Sequence, residues 1–77
     1  MIHVLIVDDH FVVRSGLATS LEIEDDIRVI ATAEKGEDAA ETYATHRPSV
    51  VLMDLQLPGI GGVEATATIR STDPAAR

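Results

Sequence analysis

Two runs of the chain are apolar at almost every position. Ile2–Val7 and Val50–Met53 contain a single polar residue between them, His3. A continuous apolar run is typical of a parallel strand that is buried on both faces. A third β-branched run, Ile27–Ala33, carries the charge of Arg28, which indicates an edge strand. We predict strands over residues 2–8, 27–33 and 49–54.

A helix-like segment follows each of these runs. The first has apolar residues at four-residue spacing, which would share one helix face: Val13, Leu17 and Leu21. Gly36 and two acidic residues open the second segment, and Pro48 ends it. Residues 63–70 alternate as a strand does, but the repeated order of strand and helix favours a helix. We predict helices over residues 12–24, 36–47 and 62–72, with a fraying tail up to Arg77.

The alternation of strands and helices predicts an α/β fold with parallel pairing and right-handed crossovers. The first and third strands are apolar throughout and need cover on both faces, whereas the second tolerates an edge. These conditions are met by the strand order 2-1-3, with the first strand in the centre. Gly16 lies inside the first predicted helix, where it costs ~1 kcal/mol relative to alanine unless a neighbour packs closely against it.

Composition narrows the class of protein. A chain of 77 residues is one domain at most, and it has a thin stability margin. The absence of cysteine excludes disulfide scaffolds and thiolate zinc sites. No run approaches the ~18 apolar residues of a membrane span, so we expect a cytoplasmic protein without a membrane partner. The formal net charge of −7 would repel phosphate backbones, so these residues are not expected to bind nucleic acid directly.

Acidic residues follow two of the predicted strands. Asp8 and Asp9 end the first strand, and Asp54 ends the third. Parallel neighbours bring these ends together at a topological switch point, where open α/β sheets bind ligands. Three carboxylates in one place repel one another unless a cation neutralises them, and a hard, oxygen-seeking ion such as Mg²⁺ suits them. Such an ion also accepts a phosphate oxygen, so the pattern indicates phosphoryl chemistry on one carboxylate.

These residues also allow other interpretations. A single aspartate after a strand is commonly solvated or caps a helix, but three at two adjacent strand ends favour a site. One alternative is a metal-dependent phosphatase of the class that has an Asp-x-Asp motif after its first strand. Here Asp8 and Asp9 are adjacent and His10 follows them, which does not fit that motif. We interpret His10 as a residue at the helix start, because Mg²⁺ prefers oxygen ligands. Tyr43 and Met53 are interpreted as packing residues.

Two segments resemble a known family. Val4–His10, followed by Val13–Leu17, resembles the start of a two-component response-regulator receiver domain, and residues 50–59 resemble its phosphoacceptor segment. The histidine after the acid pair and the Val-Arg-x-Gly-Leu helix are similar to the subfamily with a LuxR-type helix-turn-helix output. The resemblance covers nearly the whole chain. It implies a flavodoxin-like, doubly wound parallel sheet, here as a partial receiver domain over residues 1–77.

The resemblance also implies roles for the acidic residues. The chain would be a phosphoacceptor module rather than a classical enzyme, and Asp54 would take a phosphoryl group from a sensor histidine kinase. Mg²⁺ would be held by Asp9 directly, by Asp8 partly through water, by Asp54 and by the backbone carbonyl of Gln56. The alternative is a signalling-inactive interaction or dimerisation module on the same fold. The full protein would regulate transcription by binding DNA.

The family's receiver domain has five βα units, and this chain supplies three. The fourth strand would bring a threonine or serine and the fifth a lysine, and neither Lys35 nor Arg70 falls at a matching place. The helix-turn-helix domain that would contact DNA is also absent. We therefore expect a truncated gene product, a recombinant fragment or the ordered part of a longer chain. Its third strand would have an exposed edge that favours self-association. Its switching would fail, and its phosphorylation would be at most slow and without effect on an output.

Overall fold

Strands and helices alternate along the entire chain. The computed structural model describes all residues from Met1 to Arg77. The strands are β1 (Ile2–Val7), β2 (Ile27–Ala33) and β3 (Val50–Met53), and the helices are α1 (Phe11–Glu22), α2 (Gly36–His46) and α3 (Gly62–Thr72). No helix has both the length and the apolar character needed to cross a bilayer. The segment over residues 63–70, whose spacing resembles that of a strand, lies within α3, as the alternation of strands and helices predicted.

The three strands form one parallel sheet in the order β2-β1-β3, which confirms the predicted topology. The central strand is the most deeply buried element, since Leu5, Ile6 and Val7 have no exposed surface. Val7 lies opposite Ala33 in β2 and opposite Met53 in β3. All three strands therefore end at nearly the same level, and the residues that follow them meet at one edge of the sheet.

The main core lies between the sheet and the pair formed by α2 and α3. Small side chains let these two helices approach the sheet and each other, because Ala39 and Ala65 are at most 1% exposed. Ile69 lies one turn after Ala65 and covers the same face. The buried cluster comprises nine residues: Leu5, Val7, Ala33, Ala39, Tyr43, Leu57, Ala65, Ile69 and Ala76. The interpretation of Tyr43 as a packing residue agrees with its place in this cluster.

The first helix covers the sheet only in part. It has no buried residue, and only Arg14, Ala18 and Leu21 are half-buried. Val13 and Leu17 of the predicted apolar stripe remain 43% and 37% exposed. Leu17 lines a shallow groove with Ile6 and with residues of β3. The helix thus leans towards β2, and part of its apolar stripe faces a side of the sheet that no other element covers.

The tail after α3 is packed, which corrects the expectation that it frays. Ala76 is 8% exposed and belongs to the core, and the Val51 N–H donates to the Arg77 carbonyl at 2.9 Å. The Tyr43 hydroxyl donates to Asp73 Oδ2 at 2.6 Å, and Arg47 lies 3.4 Å from the same oxygen. These contacts hold the last residues beside β3, so the outer edge of that strand is partly covered.

We expect Gly16→Ala to stabilise the protein. A Cβ at this position would have no heavy atom within 4 Å, so alanine adds helix propensity without a clash. The expected gain in the free energy of unfolding is about 0.5–1 kcal/mol, measured by urea denaturation followed by circular dichroism. Gly62→Ala is the matched control, because its Cβ would collide with the Asp54 carbonyl and it should destabilise the fold. Equal effects of the two substitutions would contradict this account.

We expect Tyr43→Phe to lower the thermal midpoint by about 5 °C at neutral pH, the effect of one lost hydrogen bond in a domain of this size. The Tyr43 hydrogen bond lowers the pKa of Asp73 below its ordinary 3.8. The stabilisation is therefore present above pH 3.8 and is lost as the pH falls through the lowered pKa of the folded state. The thermal midpoints of the wild type and of Tyr43→Phe should converge as the pH is lowered. A difference in midpoint that does not change with pH would show that the Tyr43–Asp73 hydrogen bond is not its source.

Candidate functional site

The site lies where β1 and β3 end. The Asp54 N–H donates to the Val7 carbonyl at 2.9 Å, and the Asp8 N–H donates to the Ala33 carbonyl at 3.1 Å. These bonds continue the two ladders by one residue beyond the strands. They place Asp8 in the middle of the sheet's carboxyl edge, with Asp54 on its neighbouring strand. The parallel register alone therefore brings together acids that are 46 positions apart in the sequence.

Four side chains converge at this edge. One potential ligand atom each from Asp8, Asp9, His10 and Asp54 lies within 4.8 Å of the other three. The three predicted aspartates are therefore neighbours, and His10 joins them. Asp8 is the most buried, since its side chain is 12% exposed against 31% for Asp9. A buried carboxylate beside two others needs a compensating positive charge.

His10 provides one source of that charge. Its Nδ1 atom lies 3.0 Å from Asp8 Oδ1 and 3.0 Å from Asp9 Oδ1. The hydrogen bond to Asp8 and the charge of Asp9 raise the pKa of His10 above its ordinary 6.5. The imidazole is 65% exposed, so it can turn outward without disturbing the core. The His10 N–H donates to Asp8 Oδ1 at 2.8 Å, which fixes the Asp8 carboxylate independently of the ring.

The Asp54 carboxylate is oriented by the loop that follows it. Its Oδ1 atom accepts the Gln56 N–H at 3.0 Å, in a turn typical of aspartate. Gly62 packs directly on the Asp54 carbonyl, where a Cβ would collide with it. The start of α3 is thus pressed against the backbone that carries Asp54. Gln56 itself is exposed, two residues beyond the carboxylate to which it donates.

The far part of this loop is attached to α2. Glu37 Oε1 accepts the Ile60 N–H at 3.0 Å. Gly59 has a φ of 74°, and a Cβ there would lie 2.7 Å from the same oxygen. Sequence reasoning placed Glu37 in the first turn of a helix and did not connect it with the loop. No spacing pattern links positions 37 and 60, so only the packing of α2 against the loop reveals this contact.

A second contact that sequence reasoning missed involves Arg14. Its Nη1 atom donates to the Asp8 carbonyl at 2.8 Å, and its Nη2 atom donates to Glu34 Oε1 at 3.2 Å. Lys35 and Arg70 lie elsewhere: Lys35 is the N-cap of α2, and Arg70 donates to the Pro74 carbonyl. The available signal was the position of Arg14 one turn into the helix that follows the acid pair.

The donor set suits a hard divalent cation. Carboxylate oxygens are the ligands that Mg²⁺ prefers, and it is bound by few protein groups while it retains several waters. Asp9 is exposed and Asp54 is half-buried, so water can complete the coordination of an ion held by these carboxylates. His10 is the only nitrogen donor among the four side chains, and its removal from the cluster leaves an all-oxygen set.

Comparison with known proteins gives a consistent result. The family model of the response regulator receiver domain matches residues 4–77. The chain is 52% identical over 73 residues to response regulator UvrY of Escherichia coli K12. The aligned region covers 94% of this chain and 34% of that protein. It is 49% identical over 74 residues to a protein-glutamate methylesterase/protein-glutamine glutaminase of Nitrosospira multiformis, over 96% of this chain and 21% of that protein.

A solved structure shows the same arrangement of elements. The two-component response regulator of the LuxR family from Aurantimonas sp. SI85-9A1 superposes with a TM-score of 0.96 and 42% sequence identity. The match covers all of this chain and 55% of that one. The chain therefore spans about half of this structural neighbour, about a third of the UvrY protein and about a fifth of the methylesterase/glutaminase.

Proposed function

Because this chain belongs to the family of response regulator receiver domains, we propose that its carboxyl-edge site accepts a phosphoryl group on Asp54. Mg²⁺ and aspartate phosphorylation are typical of this family, whose receiver domains are typically not classical enzymes. The observation that carries the proposal is the convergence of Asp8, Asp9 and Asp54 within 4.8 Å. Receiver domains bind Mg²⁺ at such an acidic pocket, and here these three side chains and the Gln56 carbonyl would hold it.

Asp54 is the best-placed nucleophile of the three acids. The Asp8 carboxylate is largely buried and accepts the His10 N–H, which leaves it poorly accessible to a phosphoryl donor. Asp54 is the acid at the end of β3, and only one of its oxygens is engaged by the Gln56 N–H. Its second oxygen is available to attack phosphorus. With Asp8 and Asp9 serving as proposed Mg²⁺ ligands, Asp54 would be the acid that offers an oxygen to the donor.

The chemical step is a transfer between two nucleophiles. An Asp54 oxygen attacks the phosphorus of a phosphohistidine, a P–O bond forms, the P–N bond breaks, and the released imidazole takes up a proton. The developing charge lies among carboxylates that repel it, and bound Mg²⁺ supplies the neutralising charge. The residues of this chain position the acceptor oxygen and hold the loop beside it through the Gln56 and Glu37 hydrogen bonds.

The proposed partner for this transfer is a sensor histidine kinase. For the whole protein we propose a DNA-binding output domain, supported by the likeness to response regulator UvrY and to the LuxR-family structure. This chain is also similar to part of a protein named as a methylesterase/glutaminase, so similarity in this region does not by itself identify the output domain. The acidic receiver itself, with its net charge of −7, is not the part that would contact DNA.

We expect Asp54 to form an adduct with phosphoryl donors or beryllofluoride in the presence of Mg²⁺. Acetyl phosphate should add the mass of one phosphoryl group, slowly, and Asp54→Asn should abolish the gain in intact-mass spectra. Asp25→Asn, in an exposed turn, is the matched control and should still react. A folded wild-type chain without any adduct would favour the alternative, a signalling-inactive interaction module on the same fold.

We also propose that two copies associate through the outer edge of β3. The Arg77 carbonyl occupies the Val51 N–H, but Met53, two residues further, presents its backbone to the same side. The other sheet edge is partly blocked, because the Val29 N–H donates to Glu22 Oε1 at 3.1 Å. Sedimentation should show a dimer that forms with increasing concentration, with the Met53 amide protected from hydrogen exchange in it. A monomer at every concentration would refute this association.

A further inference from the structure

We propose that Arg14 is a positioning residue that holds the backbone of Asp8 and Asp9 in the geometry required for Mg²⁺. This inference rests on the proposed function, since it concerns the same site. It assigns a role to a side chain that touches neither the ion nor the phosphoryl group. Arg14 acts instead through the peptide that joins the two proposed metal ligands.

The guanidinium is unusually enclosed for a surface helix. The Arg14 side chain is 11% exposed, and its charged group lies 5.8 Å from the centre of the Phe11 ring. Withdrawing an arginine from water is costly unless its donors find acceptors. Here both terminal nitrogens have one: the Asp8 carbonyl at 2.8 Å and Glu34 Oε1 at 3.2 Å.

The Asp8 carbonyl is a critical point of attachment. It belongs to the peptide between Asp8 and Asp9, so its orientation decides the direction in which the Asp9 carboxylate leaves the backbone. The His10 N–H fixes the Asp8 side chain at 2.8 Å, and Arg14 fixes the peptide that follows it. One hydrogen bond engages the Asp8 carboxylate and the other engages the Asp8 carbonyl. Without the guanidinium, the Asp8 carbonyl would lose this hydrogen bond, and the remaining contacts at Asp8 would be those of its N–H and its carboxylate.

Arg14 also connects two strand ends. Glu34 follows directly on β2, whereas Asp8 follows on β1, so the planar guanidinium bridges the carboxyl ends of both strands. An arginine can reach two acceptors at once because its donors form a rigid fork, which a lysine lacks. Glu34 additionally offsets the positive charge of Arg14. The bridge therefore adds rigidity at the site and little net charge.

The charge and the geometry of Arg14 predict opposite effects on metal binding. A cation near the acids repels a divalent metal, so removing its charge alone would tighten Mg²⁺ binding. Removing a group that orients metal ligands weakens binding, by about tenfold or more for hydrogen-bond partners of ligands. The sign of the change in Mg²⁺ affinity therefore separates a positioning role from an electrostatic one.

The experiment measures the Mg²⁺ affinity of the 77-residue chain by isothermal titration calorimetry. Arg14→Met removes the charge and the fork but keeps an apolar stem, and we expect its affinity to fall about tenfold or more. Arg28→Met is the matched control, because it removes the same charge from the opposite end of the sheet, where Arg28 pairs with His3. Its affinity should stay the same or rise. Circular dichroism melts without metal establish that each variant is folded at the titration temperature.

The outcomes are decisive for the inference. Mg²⁺ binding by Arg14→Met that equals or exceeds that of the wild type would overturn it. Should Arg14→Met fail to fold, Arg14→Lys, which keeps the charge and the stem, replaces it: weaker binding than the wild type supports the inference, and equal binding overturns it. A folded wild-type chain that binds no Mg²⁺ would overturn the proposed function as well. An equal loss of Mg²⁺ affinity in Arg14→Met and Arg28→Met would overturn only the role of Arg14.

Discussion

The parallel pairing of β1 with β3 is the interaction on which the rest of the molecule depends. It aligns Val7 with Met53, and the next hydrogen bond of the ladder, from the Asp54 N–H to the Val7 carbonyl, brings Asp54 beside Asp8. The hydrophobic effect drives this pairing, because the β1 side chains from Leu5 to Val7 are completely buried. A shift of the register by one residue would turn these side chains to the opposite face and separate the acids.

The same alignment concentrates negative charge, which opposes folding. The acids stay close together, and hydrogen bonds to them reduce the unfavourable electrostatic energy. His10 lies between Asp8 and Asp9, the Gln56 N–H reaches Asp54, and Arg14 lies behind the Asp8 peptide. His10 contacts two of the acids and the Gln56 N–H one, and these contacts engage only the Oδ1 atom of each carboxylate. These contacts offset part of the repulsion among the three carboxylates at one edge of this small domain, and a bound cation would offset more of it.

The packing of the domain is uneven. The face under α2 and α3 contains the whole buried cluster, whereas the face under α1 leaves Val13 and Leu17 partly exposed beside the groove at β3. The tail covers part of the β3 edge, and Tyr43 and Asp73 hold it in place. Stability therefore comes mainly from one side of the sheet, and contacts near the last residues contribute more than their polar composition suggests.

The order of the elements and the residues of the candidate site could be predicted from the sequence alone. The apolar runs predict three strands, and the charge of Arg28 places β2 at the edge, since strand burial is a local property. Helical spacing predicts the first helix, whereas the third was predicted from the repeated order of strand and helix against its own strand-like spacing. The same patterns put Asp8, Asp9 and Asp54 at strand ends. Only the tertiary structure decided that Val13 and Leu17 face an open groove, that the tail is packed, and that Arg14 and Glu37 brace the site. These features join residues distant along the chain, and their contacts depend on how helices tilt and loops close, which no local periodicity records.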